Sequence, residues 1–303
     1  MIFRPATAKG MVMAGTFGSR AVRDQATRLR ELASGERAPE GIRIAVVSGK
    51  GGVGKSSIAV NLSLYLARTG REVLLADLDL GLANTDLLLN VNPTYTLSHV
   101  IAGMRSVPEV MLEIPGGLQL LPGATGGEGL ADLTEFSRRH LLDELQKAAG
   151  NVDIAVLDCG AGLSPNVLEF AWSATDILVV TTPQPTALAD AYGTIKALVR
   201  RSRALSIHLF VNMVSNREEA SSAYRRIARV AQRFLDYSVA DAGYMLHDTS
   251  VERAVRTRHP FVLHQGESAS TACIASLASR LARQSLVARE QGGFLRRVAN
   301  FFV

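Results

Sequence analysis

Eight residues constrain this chain more than any others: Gly49-Lys50-Gly51-Gly52-Val53-Gly54-Lys55-Ser56. They satisfy G-x-x-x-x-G-K-S/T and lie between the β-branched run Ile42–Val47 and a helical stretch from Gly54 to Ala67 that Gly70 ends. A strand, a glycine-rich turn and a helix in that order form a cradle for phosphate. Backbone N–H groups unobstructed by Cβ atoms wrap the oxygens, and the helix N-terminus adds its partial positive charge. Lys55 is placed to reach β- and γ-phosphates, the Ser56 hydroxyl to complete the coordination of Mg²⁺, and Ser57 continues the cradle into the helix.

The rest of the chain supplies the fold around that turn. Short apolar runs at Glu72–Asp77, Leu118–Leu121, Ile154–Asp158, Ile177–Thr181 and Ile207–Asn212 alternate with helical patterns at Glu135–Ala149, Leu188–Arg201 and Ala220–Leu235. Strands apolar on both faces and separated by helices predict an α/β, doubly wound, mostly parallel sheet flanked by helices. The predicted main domain covers residues 41–285, after an N-terminal arm over 1–40 and before a tail over 286–303. Within the arm, Arg20 to Ala33 can form a short helix.

Composition narrows the class. Hydrophobic residues make up 47% and charged residues 20% of the 303, enough for a large core and too little charge for general disorder. Two cysteines, Cys159 and Cys273, exclude a disulfide framework and a cysteine-ligated cluster. No run is long enough to span a membrane, and no signal peptide is evident. The expectation is a cytoplasmic protein. Its net charge of +5 does not by itself demand nucleic acid. Only five of the 33 basic residues are lysines, and two of them, Lys50 and Lys55, fall in the glycine-rich turn. A compact charge on a flexible stem does there what arginine's planar fork cannot.

Lys50 carries the family resemblance. Lys-Gly-Gly-Val-Gly-Lys-Ser resembles the deviant Walker A motif of the MinD/ParA ATPases, a branch of the SIMIBI-class P-loop proteins. The resemblance implies a catalytic role for Lys50 across a nucleotide-sandwich homodimer, with ATP and Mg²⁺ as ligands. It also identifies Asp77-Leu78-Asp79-Leu80-Gly81 as switch I and Asp158-Cys159-Gly160-Ala161-Gly162 as switch II. Asp77 and Asp158 are then the carboxylates of the metal site, and Asp79 orients the attacking water. Asn212, at the end of an apolar run, matches the residue that meets adenine. Gly243-Tyr244-Met245-Leu246-His247 departs from the family's Gly-x-Ile-Pro-Tyr, which changes the lining of the base pocket. Cys159 reads as an ordinary small residue.

Leu80-Gly81-Leu82-Ala83-Asn84-Thr85-Asp86 resembles the flagellar-number regulators of the FlhG (FleN) group more than partition proteins. Asp24-Gln25-Ala26-Thr27-Arg28-Leu29-Arg30 matches that group's N-terminal element, which implies that Asp24, Gln25, Leu29 and Arg30 engage the FlhF GTPase. At the other end, Phe294, Leu295, Val298, Phe301 and Phe302 share one helical face and Arg296 and Arg297 the other. That pattern resembles the MinD membrane-targeting helix and predicts an ATP-dependent peripheral association with anionic inner-membrane lipids. Basal-body or transcriptional regulator proteins complete the partners that the resemblance implies.

Other readings share parts of this pattern. A ParA-type partition ATPase would use Arg225-Arg226-Ile227-Ala228-Arg229-Val230-Ala231-Gln232-Arg233 against DNA phosphates, a face more often merely solvated. A MinD-type division-site regulator would begin almost at the first strand, without this arm. An iron–sulfur carrier needs cluster cysteines, and a small-molecule kinase needs an acceptor pocket that the sequence does not reveal.

Overall fold

In the computed structural model, which describes residues 41–124, 133–264 and 268–282, the run after Gly41 becomes β1 (Ile42–Ser48). Its residues alternate between two cores. Ala45 and Val47 pack into one apolar cluster, Ile44 and Val46 into another. β2 (Val73–Leu78) repeats this, with Leu74 and Ala76 on the first side and Val73 and Leu75 on the second. A strand with apolar side chains on both faces is stable only where helices cover both faces, so these runs fix the layering.

The first face is covered by α5 (Glu135–Ala149), α6 (Pro165–Trp172), α7 (Pro185–Arg201) and α8 (Arg217–Leu235). On the opposite face lie α1 (Lys55–Arg68), α9 (Thr249–Arg256) and α10, over residues 269–282. Three short helices, α2 (Thr85–Leu89), α3 (Leu97–Ile101) and α4 (Val107–Val110), follow β2. The remaining strands are β3 (Leu112–Ile114), β4 (Leu118–Leu121), β5 (Ile154–Ala161), β6 (Asp176–Thr181), β7 (Ser206–Val214) and β8 (Ala240–Leu246). They form one sheet in the order β3-β4-β2-β5-β1-β6-β7-β8, in which only the pairing of β3 with β4 is antiparallel.

The doubly wound parallel sheet expected from the sequence is therefore the fold among the described residues. Four differences have physical causes. β5 runs on to Ala161 instead of ending at Asp158, because β2 holds its next residue (Leu78 opposite Cys159) and β1 its last (Ser48 opposite Ala161). β8 has no sequence signal: with two alanines and Gly243 it lacks β-branched residues, and it is fixed only by lying against β7. The edge strand β3 is equally silent at three residues. α7 and α8 begin three residues earlier than their apolar stripes, at Pro185 and just after the N-cap Asn216, whose side chain accepts from Glu219 N–H. The arm with Asp24, Gln25, Leu29 and Arg30 and the tail with Phe294 to Phe302 lie outside the described residues.

Candidate functional site

The strand order β2-β5-β1 determines what meets what. Three parallel neighbours deliver Asp77, Asp158 and the glycine-rich turn to the same edge of the sheet, Asp77 directly opposite Asp158. Carboxyl ends of parallel strands are where open α/β sheets bind ligands. The cleft there measures about 760 Å³, a volume suited to a nucleotide.

The turn is shaped by two close approaches. Gly54 has φ of 86°, and a Cβ on it would lie 2.4 Å from the Asn212 Nδ2. Gly49 faces the Asp190 backbone of α7 at the same distance. Glycine at either position is therefore enforced by packing as well as by phosphate access. Gly51 and Gly52 have open space before them, the Ser48 hydroxyl donates to Lys50 C=O at 3.0 Å, and the Gly162 N–H donates to Ser48 C=O at 2.8 Å. The segment from Asp158 to Gly162 is thus tied to the base of the turn.

Lys55 opens α1 with its side chain only 7% exposed. Its Nζ lies 2.6 Å from Asp158 Oδ1, 3.3 Å from Ser56 Oγ and 4.0 Å from Asp79 Oδ2. Burial pulls the ammonium pKa down, but the Asp158 carboxylate more than offsets this and holds it above the usual lysine value. Asp158 is fully buried, and its second oxygen, Oδ2, has no hydrogen-bond partner, nor has the Ser57 hydroxyl. An orphaned buried carboxylate oxygen on Asp158, whose carboxylate interacts with the Ser56 hydroxyl, suits a hard divalent cation. Among the described residues no group of three or more acidic, His or Cys side chains forms a complete cage. Such a site suits Mg²⁺, which takes one or two carboxylates and completes its shell from phosphates and water.

Asp77 is buried with 0% exposure and carries a burden that the sequence did not reveal. Its Oδ2 accepts from Asn84 N–H, Thr85 N–H and the Thr85 hydroxyl at 2.9–3.0 Å, and its Oδ1 from Asp79 N–H at 3.1 Å. These bonds hold the whole 79–85 loop, so a further ligand can approach only at Oδ1. Burial, with Asp158 nearby, pushes the carboxyl up to about 6 against the pull of those donors. Asp79 is positioned by this loop: its Oδ1 accepts from Leu82 N–H at 3.2 Å while Oδ2 faces Lys55.

Asn212 likewise does more than line the cleft. Its Nδ2 donates to Val53 C=O at 2.8 Å and its Oδ1 accepts from Met213 N–H at 2.9 Å, which clamps β7 to the turn. Met213, in the left-handed region at φ 57°, joins Met245, Val251 and Val255 in an apolar wall beside it. No motif identifies that wall, because its members come from β7, β8 and α9. Lys50 is exposed, next in the turn to the cleft-lining Gly51, and its Nζ lies 3.3 Å from the Thr186 Oγ of α7.

Comparison with known proteins agrees with this geometry. Residues 44–261 match the CobQ/CobB/MinD/ParA nucleotide binding domain. The chain is 38% identical over 213 residues to the antiactivator FleN of Pseudomonas aeruginosa, covering 70% of this chain and 76% of that protein. It is 32% identical over 216 residues to the flagellum site-determining protein YlxH of Helicobacter pylori, covering 71% and 73%. Among solved structures, the septum site-determining protein MinD of Pyrococcus horikoshii, complexed with Mg-ADP, superposes with a TM-score of 0.70 at 25% identity, covering 82% of this chain and 98% of that one.

Proposed function

Because the chain belongs to the CobQ/CobB/MinD/ParA family of nucleotide-binding proteins, and within it to the FlhG/FleN type, we propose that it is a magnesium-dependent ATPase switch. In this reading ATP closes it into a homodimer that works at the membrane in setting flagellar number or placement. One observation carries the chemistry: the buried Lys55 ammonium lies between Asp158 and Asp79 at the end of the glycine-rich turn. The name of the YlxH relative, a flagellum site-determining protein, supports the flagellar role.

A triphosphate offers Lys55 an anionic partner and so releases Asp158 from its ion pair. Ser56 and the freed Asp158 would hold Mg²⁺, which when bound neutralises charge on the β- and γ-phosphate oxygens. Asp79, whose Oδ2 faces the Lys55 ammonium, orients a water for in-line attack on the γ-phosphorus in this reading. Asp77 acts through the loop it holds, fixing where Asp79 stands. Gly49 to Ser57 wrap the phosphates, and Asn212 with the apolar wall receives the base. Lys50 needs only to leave a single exposed hydroxyl partner to reach the phosphates of a second copy.

The two ends of the chain extend the proposal. Asp24, Gln25, Leu29 and Arg30 engage an FlhF-type GTPase, and the amphipathic run Phe294–Phe302 binds anionic lipid more firmly when a dimer presents two copies. The test is size-exclusion with light scattering on an Asp79→Ala chain, in which turnover is blocked. A dimer with Mg-ATP and a monomer with Mg-ADP are expected; a monomer in both would overturn the switch. Flotation of that dimer with vesicles, lost on deleting residues 293–303, tests the membrane step.

A further inference from the structure

The two rims of the sheet are built differently. At one, β3 is three residues long with Glu113 exposed in its middle, too short to template another strand. At the other, β8 runs for seven residues and meets β7 on one side only among the described residues. A strand of that length with a free side offers unpaired N–H and C=O groups to any extended chain. Here side chains take such groups. The Tyr224 hydroxyl of α8 donates to Val239 C=O at 2.9 Å, just before the strand. Arg280 Nη1 of α10 donates to Asp241 C=O at 3.1 Å. The Gly243 N–H donates to Asp241 Oδ1 at 2.8 Å, and Asp241 Oδ2 lies 3.8 Å from the same Arg280 nitrogen. These contacts sit at the rim. α8 and α10 cover opposite faces of the sheet, so the cavity of about 390 Å³ that Tyr224, Arg280 and residues 241–244 line together lies past the free side of β8.

We propose that Asp241 and Arg280 form a latch that closes the rim of β8 against strand addition by a second copy of the chain. The strand is irregular at the latch. Leu209 of β7 stands opposite Asp241 and Phe210 opposite Gly243, which leaves Ala242 as an extra residue, and Gly243 takes a φ of 100°. Such a bulge bends an edge strand out of the straight line that a further strand needs, and here it brings the Asp241 carboxylate onto the Gly243 N–H. The ion pair itself is nearly half exposed on both sides and adds little stability, so its effect is to keep one backbone acceptor and one backbone donor occupied. Every copy carries the same edge, so two unlatched edges would pair with each other about a two-fold axis. That association needs no nucleotide, which separates it from the nucleotide-closed dimer proposed above.

The experiment compares the full chain with Asp241→Ala/Arg280→Ala by size exclusion with light scattering, without nucleotide, over a range of concentrations. The mass of the variant should climb with concentration beyond that of the unaltered chain, and amide exchange across residues 240–246 should slow in the associated form. Asp241→Asn/Arg280→Lys keeps an acceptor for the Gly243 N–H and a donor for the Asp241 C=O, so it should stay at the unaltered mass. A folded alanine variant that gained no mass would overturn the latch. So would association that left the β8 amides no slower, or equal association of the conservative variant. Amide exchange in the unaltered chain tests the proposal even where the alanine variant fails to fold. The Gly243 N–H should exchange about tenfold or more slowly than in an unstructured peptide. Exchange at the peptide rate would show an open edge and overturn the latch.

Discussion

Asn212 illustrates how much a single side chain does at this site. Its amide joins β7 to the phosphate-binding turn through Val53 C=O, so its loss frees the turn and leaves a buried carbonyl without its donor. Asn212→Ala should weaken nucleotide binding by roughly 10- to 100-fold, equivalent to ~1–3 kcal/mol, as read by titration with a fluorescent ATP analogue. Affinity equal to the unaltered chain would show that the clamp is dispensable. Cys159 makes the opposite point. It lies inside the site's strand, 0% exposed, and burial pushes its thiol far above the ordinary value. Only the thiolate is nucleophilic, so iodoacetamide should modify the half-buried Cys273 well before Cys159 in the folded protein. Peptide mapping that found Cys159 modified first would contradict this.

Between elements, two polar links hold strands and helices in register. Asp248 caps α9 by accepting from Ser250 N–H at 2.8 Å and also accepts from the Ser270 hydroxyl of α10 at 2.6 Å. The Ser270 and Ser250 donors hold its carboxyl below the usual range. A depressed carboxyl stabilises the fold above the unfolded-chain pKa and loses that contribution as pH falls through the lower, folded value. Asp248→Ala should therefore cost about 1 kcal/mol in urea unfolding at pH 7, and the difference from the unaltered chain should shrink in acid. A gap that widened in acid would reverse the sign of the argument. At the other end of the sheet, Asp176 Oδ1 on β6 lies 3.0 Å from the His208 Nε2 on β7, both buried, and the Ser206 hydroxyl is 2.9 Å from the same nitrogen. Removing the imidazole takes one hydrogen-bond partner from the buried Asp176, whose Oδ2 still accepts from the Thr175 hydroxyl at 3.0 Å. His208→Ala is expected to destabilise by roughly 2 kcal/mol, measured by the same unfolding.

For the molecule as a whole, the proposed function makes nucleotide a structural ligand as well as a substrate. The site draws on β1, β2, β5 and β7 together with α1 and α9, so a ligand there braces both halves of the sheet at once. Mg-ATP at about 100 times its Kd should add ~2.7 kcal/mol, which for a domain of this size raises Tm by roughly 5–10 °C. The Lys55→Ala chain should show no such rise in scanning fluorimetry. A full shift in that variant would place the nucleotide somewhere else.

Local sequence was sufficient wherever one element carries the whole instruction. The turn from Gly49 to Ser56 announces itself because glycines, a lysine and a hydroxyl must follow one another at fixed spacing for backbone N–H groups to converge on phosphate. The parallel sheet was legible for a similar reason, since strands apolar on both faces have no other stable setting. What remained hidden depends on neighbours far apart in the chain. The ion pair of Lys55 with Asp158 spans 103 positions and the clamp of Asn212 on Val53 spans 159. β8 becomes a strand only because β7 offers it a free edge, and the apolar wall of the cleft is assembled from three separate elements. Spacing along a chain encodes groups that act on one turn of backbone; packing alone decides which distant carboxylate neutralises a buried lysine, or which amide ties down a loop.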